Sequence, residues 1–461
     1  MNRRLAIFSG TFNPPGAHHR AAVQALLRHF DEVVVVPGGP RPDRPVSGPT
    51  EALHRAAMTD LAFRDLPRVR VDHSDLEHAQ FTRTHALEEK YRRDGEVWHA
   101  VGGDLVRGGG AGESFIHAQW ERGPELWRSL NFAVLPREGY ELAADDLPPR
   151  HLLVATAQSG ASATVRERVF RGEEVRSLLS PAVADYVDRY GLYRGTPPPR
   201  TAPLTIAEPR PLLVFDEANP AARKIVDAWP SAATSPGAAN CILVIGGDGM
   251  MISAVRQYWS WRLPFIGLNA GHRGHLLNDS DRLAAGDAIR SGWRAQLLPL
   301  LYVETADVSG RKEQHYAIND AWVERAGGQA AWLEVSVDGQ TRIPKLVADG
   351  VLVATAVGST AYARSMGATP LPIDAPAFLV VGSNVVDPTG WKSAHLPLES
   401  SVGIRVLESG KRPVRAYVDA SGRGLVQEMR VRVSRTAAVE LAFVAERDIQ
   451  AKMAAGLFPR H

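Results

Sequence analysis

The first 195 residues alternate between short apolar runs and helical patterns, and this alternation constrains the fold more than any other feature. Strands that alternate with helices predict a parallel sheet with helices on its faces. We therefore expect an α/β domain over residues 1–195. The six apolar runs are LAIFSG (5–10), EVVVVPGG (32–39), RVRVDHSD (68–75), EVWHAVGGD (96–104), NFAVLPR (131–137) and HLLVATAQ (151–158).

A proline-rich segment separates this domain from a second one. Residues 196–210 hold too many prolines for a helix or a central strand and are predicted to form a stiff linker. Beyond it, a strand-like LLVFD, a helical NPAARKIVDAW and an apolar CILVIGGDG predict an α/β lobe over residues 211–295. Six β-patterned runs then predict a β-rich lobe and C-terminal return over residues 296–461.

Composition excludes several classes of protein. A chain of 461 residues with a formal charge of +2 fits two or three domains and gives no electrostatic indication of nucleic-acid binding. One cysteine, Cys241, rules out an intramolecular disulfide and a cysteine-based zinc cluster. No apolar run approaches the ~20 residues that a membrane helix needs, and no signal pattern is present at the N-terminus. We expect a cytoplasmic protein without membrane or nucleic-acid partners.

The stretch SGTFNPPGAHHR (9–20) joins the first strand to the first helix. Gly10 lets the backbone approach an anion closely, and the helix directs its positive end to the same place. His19, in the first turn, is positioned to donate a hydrogen bond to a phosphate oxygen. The alternative is that His18 and His19 are two solvated residues at the start of a helix.

A second joint follows the sixth apolar run. In SGASATVRERVF (159–170), small hydroxyl residues precede an arginine. Arg166 has the planar guanidinium that binds phosphate through two hydrogen bonds. We expect the two joints to face each other at the carboxyl edge of the sheet.

These motifs resemble the nicotinamide/nicotinate mononucleotide adenylyltransferases. GTFNP with His19 matches their nucleotide-binding signature, GASATVR occupies the place of their Ser-Ser-Thr-x-x-Arg motif, and further segments follow in order: HRAAM (54–58), VGGD (101–104), Trp120, VLPREGY (134–140) and YVDRYGLY (186–193). The resemblance implies a Rossmann-like nucleotidyltransferase that joins a mononucleotide to the AMP of ATP, with Mg²⁺.

The same resemblance implies roles for individual residues. His19, Arg166 and Mg²⁺ would neutralise the reacting phosphates, Asp104 would bind a ribose, and Trp120 would stack on the pyridine ring. A tryptophan of the core is the alternative for Trp120. One departure is Gly16, where the family carries His or Thr. The remaining implied contacts to substrate or ATP are Gly10, Thr11, Phe12, Asn13, Arg55 and Ser162.

The second domain carries its own glycine motif, VIGGDGMM (244–251), after an apolar strand. Glycines let a loop wrap phosphates, and an aspartate there can act as a base. The alternative is a tight strand-to-helix turn. Three more segments argue against it: IGLNAGHRGHLL (266–277), AINDAWV (317–323) and DGVLVATAVGSTAYARSMGATP (349–370).

Together these segments resemble an NAD kinase over residues 211–461. The resemblance implies that Asp248 removes the proton of a ribose 2′-hydroxyl, and that Asn319 and Asp320 bind a ribose. The departures are Met250 for Thr, Asp320 for Glu, and Thr355-Ala356-Val357 for Thr-Pro-Thr. Further implied contacts to nucleotide are Gly246, Gly247, Gly249, Asp349, Thr355, Ser359, Thr360, Ala361 and Tyr362.

Both resemblances together predict a bifunctional transferase for NAD and NADP biosynthesis. Its substrates would be ATP, nicotinamide or nicotinate mononucleotide, and NAD, and assembly through the β-rich lobe would give a homo-oligomer. Two alternatives remain open. In the first alternative, the chain makes a modified NAD-like dinucleotide. In the second, its kinase-like domain is a nucleotide sensor without catalytic activity. The sequence leaves open the choice of pyridine and the phosphate donor.

Overall fold

A computed structural model of the chain separates into two compact units, Met1–Pro199 and Arg200–His461. The described residues are 3–41, 50–136, 141–156, 160–206, 208–227, 232–234, 236–271, 274–279 and 292–444. In the helices among these residues, no segment is long and apolar enough to cross a membrane.

The first unit contains a six-stranded parallel sheet in the order β3-β2-β1-β4-β5-β6. This confirms all six predicted strands. β2 is buried along its whole length, as a continuous apolar run in a parallel sheet requires. The chain reverses its direction of progress across the sheet between β1 and β4, and such a point is where open α/β sheets bind ligands. The strands are β1 (Arg4–Gly10), β2 (Glu32–Pro37), β3 (Val69–Val71), β4 (Glu96–Gly102), β5 (Asn131–Leu135) and β6 (His151–Leu153).

Helices fill the connections between these strands. The longest, α2, buries nine side chains against the sheet and the C-terminal part of the unit. The helices are α1 (Ala17–Leu26), α2 (Ala52–Phe63), α3 (Ser74–Glu77), α4 (Thr84–Tyr91), α5 (Gly103–Val106), α6 (Phe115–Gln119), α7 (Gly123–Ser129), α8 (Ser162–Phe170) and α9 (Pro181–Arg189).

The second unit is built on two sheets. In its described residues, a mixed sheet contains the path β16-β15-β20-β23-β10-β9-β8 with β7, β11, β12 and β13 attached, and a second sheet has the order β19-β18-β17-β14-β21-β22. One large hydrophobic cluster takes side chains from both sheets, so the β-rich part is a sandwich with its core between them.

The predicted elements of the second unit are present. The helices are α10 (Pro220–Asp227), α11 (Asp248–Tyr258) and α12 (Tyr362–Ser365). The strands are β7 (Thr201–Leu204), β8 (Pro211–Phe215), β9 (Cys241–Gly246), β10 (Phe265–Asn269), β11 (Asn278–Asp279), β12 (Trp293–Ala306), β13 (Lys312–Ala317), β14 (Asp320–Arg325), β15 (Ala331–Val337), β16 (Gln340–Ala348), β17 (Gly350–Ala354), β18 (Ala377–Ser383), β19 (Ser393–Pro397), β20 (Ser401–Val406), β21 (Val414–Val418), β22 (Ser421–Val426) and β23 (Glu428–Val444).

Two expected boundaries need correction. The predicted linker over residues 196–210 contains β7, which pairs antiparallel with β12, and in the described residues β12 is its only partner. A proline is tolerated there because an edge strand has one unpaired side. The lobe boundary predicted at residue 295/296 falls inside β12, and β23 pairs with β10 as well as with β12 and β20, so one sheet runs through both lobes.

We expect Leu204→Ala to destabilise the second unit by about 2–5 kcal/mol, because it removes a buried side chain from a hydrophobic cluster. Leu425→Ala, at a half-exposed leucine of the same unit, is the matched control and should change stability by about 0.5 kcal/mol or less. Urea unfolding with hydrogen-exchange mass spectrometry of β7 and β12 measures both. Equal effects of the two substitutions would mean that β7 acts as a linker.

Candidate functional site

A cavity of about 460 Å³ opens at the carboxyl ends of β1 and β4 in the first unit. Four of the predicted residues line it, namely Gly10, His19, Asp104 and Trp120. Their segments are far apart in the sequence, and the sheet brings them together between β1 and β4, where the strand order reverses. The prediction that the first strand-to-helix joint borders a ligand site therefore agrees with the geometry.

A second, smaller cavity of about 160 Å³ shares part of this wall. Gly10 and Trp120 line both cavities, and Thr11 lines the smaller one. Trp120 is half-buried and packs at the margin of a hydrophobic cluster. Trp120 therefore lines the cavity and also packs on the core. The sequence had offered these as alternatives, a ring that stacks on the pyridine or a tryptophan of the core.

The buried side chain of Arg55 holds the GTFNP loop through hydrogen bonds to backbone carbonyl oxygens. The guanidinium of Arg55 donates to the carbonyl oxygen of Thr11 at 2.6 and 3.2 Å and to that of Gly38 at 2.7 Å. Burial lowers the pKa of Arg55 to about 10. Arg55 thus fixes the ends of β1 and β2 together and positions the loop.

Two further predicted residues of this loop are buried. Phe12 is 1% exposed, and its ring lies 4.9 Å from that of His19. Asn13 is also 1% exposed and accepts a hydrogen bond from the hydroxyl of Tyr193 at 2.8 Å. Both support the loop, and neither lines the two cavities.

The second joint contacts this loop directly. Arg166 donates to the carbonyl oxygen of Asn13 at 2.7 Å, and the hydroxyl of Ser162 donates to that of Pro14 at 2.8 Å. The two joints therefore face each other, as predicted. The loop Gly10–Gly16 lies between the N-termini of α1 and α8.

His19 has a defined orientation. Its Nδ1 accepts the backbone N–H of Gly16 at 3.0 Å. A neutral imidazole that accepts at one nitrogen carries its proton on the other, so Nε2 is the donor. This tautomer suits contact with a phosphate oxygen.

In the second unit, the GGDG motif forms the joint between β9 and α11. Asp248 is the first residue of the helix, and its two carboxylate oxygens accept the backbone N–H groups of His275 and Leu276, each at 2.9 Å. A side chain at Gly247 or Gly249 would meet no atom within 4 Å, whereas one at Gly246 would contact Met250. Asp248 thus faces the loop that follows β10, beside open space.

The GSTAY motif packs against the Asn319 segment. A Cβ atom on Gly358 would lie 2.1 Å from the carbonyl oxygen of Asn319, so only glycine fits there. Thr355 reinforces the contact, since its N–H donates to that carbonyl at 2.9 Å and its hydroxyl to the carbonyl of Ile318 at 2.6 Å. Asn319 Oδ1 is buried and has no hydrogen-bond partner among the described residues.

The rest of the motif divides between interior and surface. Ser359 is fully buried, where its hydroxyl donates to Ala356 at 2.6 Å and accepts from Leu371 at 2.8 Å. Thr360 caps its own turn through a bond to Val357 at 3.2 Å. Ala361 is exposed, and Tyr362 is 42% exposed. Ser359 is therefore structural, whereas Ala361 and Tyr362 can contact a ligand.

A buried carboxylate that sequence reasoning missed organises this region. Asp419 accepts backbone N–H groups of Ile318 and Asn319 at 2.8 Å and of Asp320 at 3.3 Å. Burial, followed by the charge of Asp419, raises the pKa of Asp320 to about 7. The signal in the sequence was weak, because Asp419-Ala420 is a short hairpin turn with positive φ at both residues.

An aromatic group lies beside the predicted residues of this site. The rings of Trp322 and Tyr417 stack at 4.9 Å and 12°, and the ring of Tyr362 stands edge-on to Trp322 at 5.4 Å. Sequence reasoning missed Trp322 and Tyr417. They occupy neighbouring strands, and only the register of β14 with β21 shows that they are opposite each other.

Asp349 is distant from Thr355 but lies within electrostatic range of Tyr362, whose pKa is raised by burial and then by the charges of Glu324, Asp320 and Asp349. Asp349 precedes β17, whereas Thr355 follows it, so the strand separates them by roughly 20 Å. Its carboxylate binds Arg325 at 2.5 Å and Asn384 at 2.7 Å. Its role as a nucleotide contact stays a prediction.

The apolar departures pack against the core, and Val357 also lines a cavity of about 30 Å³ with Thr355. Val357 is 5% exposed and belongs to a hydrophobic cluster with Met251 and Ile318, and Met250 packs against the same cluster. The polar groups that the family carries at these positions are replaced by packing.

One family model and two curated relatives agree with this division. A cytidylyltransferase-like family model matches residues 7–168. The NAD kinase of Cereibacter sphaeroides (strain ATCC 17025 / ATH 2.4.3) is 36% identical over 204 residues, which are 44% of this chain and 78% of that protein. The NAD kinase of Caulobacter vibrioides is 32% identical over 225 residues, 48% of this chain and 85% of that protein. A crystal structure of yeast NADH kinase complexed with NADH gives a TM-score of 0.48 at 17% identity, covering 57% of this chain and 91% of that one.

The first unit is thus a nucleotidyltransferase-like α/β domain, joined to a second nucleotide-handling transferase domain. The chain belongs to the NAD kinase family. The expected fusion is confirmed, and its two parts are those of a bifunctional transferase of NAD and NADP biosynthesis. Transferases of these families generally use ATP with a divalent metal.

We expect the stability of the second unit to fall between pH 5 and pH 7 and then to level off. The pKa of Asp320 is about 7 when folded and about 4 when unfolded, so the folded state holds a proton in this window that the unfolded state has lost. Asp320→Asn removes this titration and should flatten the decline in melting temperature, measured by calorimetry. Asp338→Asn, at an exposed carboxylate of the same unit, is the control and should keep it. Identical slopes for wild type and Asp320→Asn would contradict the assignment.

Proposed function

We propose that the first unit transfers the AMP group of ATP to nicotinamide or nicotinate mononucleotide, and that the second phosphorylates the adenosine 2′-hydroxyl of the resulting dinucleotide. One observation carries this proposal. Each unit has a glycine-containing joint after a buried parallel strand, with the proposed reactive side chain in the first turn of the next helix, His19 in α1 and Asp248 in α11. Helix N-termini at such joints favour bound phosphate.

In the first reaction, the phosphate oxygen of the mononucleotide forms a bond to the α-phosphorus of ATP. The bond from that phosphorus to the bridging oxygen breaks, and pyrophosphate leaves with the electron pair. Because the attacking phosphate is already an anion, no general base is needed, and catalysis depends on position and charge. His19 donates through Nε2, and Arg166 adds positive charge beside the loop that it holds through Asn13.

For the mononucleotide, the larger cavity supports a place beside Trp120 and Asp104, which both line it. The ring of Trp120 offers a face for the pyridine, and the carboxylate of Asp104 suits ribose hydroxyls. Arg55, Phe12 and Asn13 act by holding the loop, as their burial and hydrogen bonds indicate.

The second reaction needs a base, because its nucleophile is a neutral hydroxyl. Asp248 takes the 2′-hydroxyl proton while the oxygen bonds to the γ-phosphorus of ATP and ADP leaves. A carboxylate has about four acceptor sites, so the two backbone hydrogen bonds to Asp248 orient it and leave lone pairs for the substrate. Asn319 and Asp320 bind a ribose in this proposal, as the family resemblance implies.

The divalent ion that we propose is Mg²⁺. Among the described residues, His, Cys, Asp and Glu side chains form no group of three or more that could hold a metal. Mg²⁺ is often bound mainly by nucleotide phosphates with one or two carboxylates. We propose that Mg²⁺ enters the site bound to ATP.

Two further proposals concern the whole protein. It forms a homo-oligomer through its β-rich part, and it acts in the cytoplasm.

We expect two substitutions to separate the activities. His19→Ala should reduce dinucleotide formation about 100-fold or more, since it removes a donor to the reacting phosphates, and should leave NAD phosphorylation unchanged. Asp248→Asn should reduce NAD phosphorylation by about 10²–10⁴-fold, since it removes the base, and should leave dinucleotide formation unchanged. Mass spectrometry of products from ATP, Mg²⁺ and each mononucleotide, and from ATP, Mg²⁺ and NAD, measures both reactions.

Calorimetry with NAD provides the control for Asp248→Asn, which should still bind the dinucleotide. Wild type that forms a dinucleotide but never phosphorylates it or supplied NAD would contradict the kinase activity. A phosphorylated product formed only from an altered dinucleotide would favour the specialised-substrate alternative.

A further inference from the structure

His18 lines the first cavity but has no role in the function proposed above. It is the second residue of α1, it is half-buried, and its ring centroid lies 4.0 Å from that of His19. Both imidazoles border the cavity of about 460 Å³. The second imidazole therefore stands beside the proposed phosphate donor.

Two glycines make room for the ring of His18, and they come from the two joints that face each other. A Cβ atom on Gly16 would lie 2.6 Å from both Cε1 and Nδ1 of His18. A Cβ atom on Gly160 would lie 2.7 Å from Nδ1. Real Cβ atoms do not approach other atoms so closely, so a side chain at either glycine would displace the imidazole. The backbone of both joints thus fits the His18 ring at the cavity wall.

Gly16 is also the position where this chain departs from the family that it resembles, which carries His or Thr there. The space in which a side chain at residue 16 would begin is occupied by the imidazole of His18. A polar group that is missing at one position of the loop is therefore supplied from a position two residues further on.

We propose that His18 is a second phosphate-binding side chain of the first unit and contacts the polyphosphate of ATP together with His19. This inference rests on the proposed adenylyl transfer. A triphosphate spreads its negative charge over several oxygens, so two neighbouring imidazole donors at the N-terminus of α1 can each contact a different oxygen.

The first test compares three single variants. We expect His18→Ala to raise the KM for ATP and to lower kcat/KM for ATP by about 10- to 100-fold, the effect of removing one hydrogen bond to a charged group. The KM for the mononucleotide should change little. His18→Asn keeps a short N–H donor and should recover part of the loss. His29→Ala, at an exposed histidine beyond the end of the same helix, is the matched control and should behave as wild type.

A second test moves the imidazole. Gly16→His alone places its Cβ against the His18 ring and should reduce activity. When Gly16→His is combined with His18→Gly, the clash disappears and one imidazole remains near the same space. We expect this double variant to be more active than either single variant, which a merely additive loss of packing would not produce.

Calorimetric binding of inorganic pyrophosphate separates the inference from the proposed function, because it needs no turnover. Weaker binding by His18→Ala, with an unchanged melting temperature, supports a phosphate-contacting role even if wild type forms no dinucleotide, a result that would overturn only the adenylyl transfer. An unchanged pyrophosphate affinity and KM for ATP in His18→Ala would overturn the inference while wild-type activity preserved the proposed function. A lowered melting temperature with unchanged pyrophosphate affinity would assign His18 to packing and also overturn it.

Discussion

Both proposed centres depend on one constraint, which is that a buried parallel strand must turn into a helix within a few residues. The first N–H groups of the helix have no partner within it, and they point to the edge where the strands end. An anion with several oxygens satisfies such groups and is favoured by the helix dipole. In the first unit, Arg55 and Arg166 hold this joint through backbone carbonyls, so hydrogen bonds within the protein fix the conformation of the loop.

The second centre depends on a further interaction, the carboxylate of Asp419 on three consecutive backbone N–H groups. These hydrogen bonds favour the charged form of Asp419, while burial raises its pKa, and Asp320 lies close enough for their charges to repel. Burial therefore disfavours the ionised form of both carboxylates in the folded unit. Buried carboxylates with raised pKa values are typical of binding and catalytic sites, where the geometry needed for function reduces the stability of the fold.

The sequence predicted what depends on local periodicity and local motifs. The six strands of the first sheet follow from apolar runs with turn residues between them, and the GGDG joint follows from glycines after a strand. The sequence did not predict what depends on pairing. β7 was assigned to a linker because an edge strand tolerates proline, and Asp419 was missed because it is about 100 residues distant from its partners. Asp349 was included because it begins the same sequence segment as Thr355, and only the fold shows that the whole of β17 lies between them.

Departures from a family motif have different meanings once the fold is known. Met250 and Val357 replace polar residues, and both contact one hydrophobic cluster, while Val357 also lines a small cavity beside Thr355. Gly16 has the opposite meaning, because the space that it leaves is filled by the polar ring of His18. A motif compared position by position scores all three as losses. In the folded protein, the side chains of Met250 and Val357 pack against the core, whereas Gly16 leaves room for the imidazole of His18 at the cavity. Activity therefore has to be judged from the groups that surround the ligand.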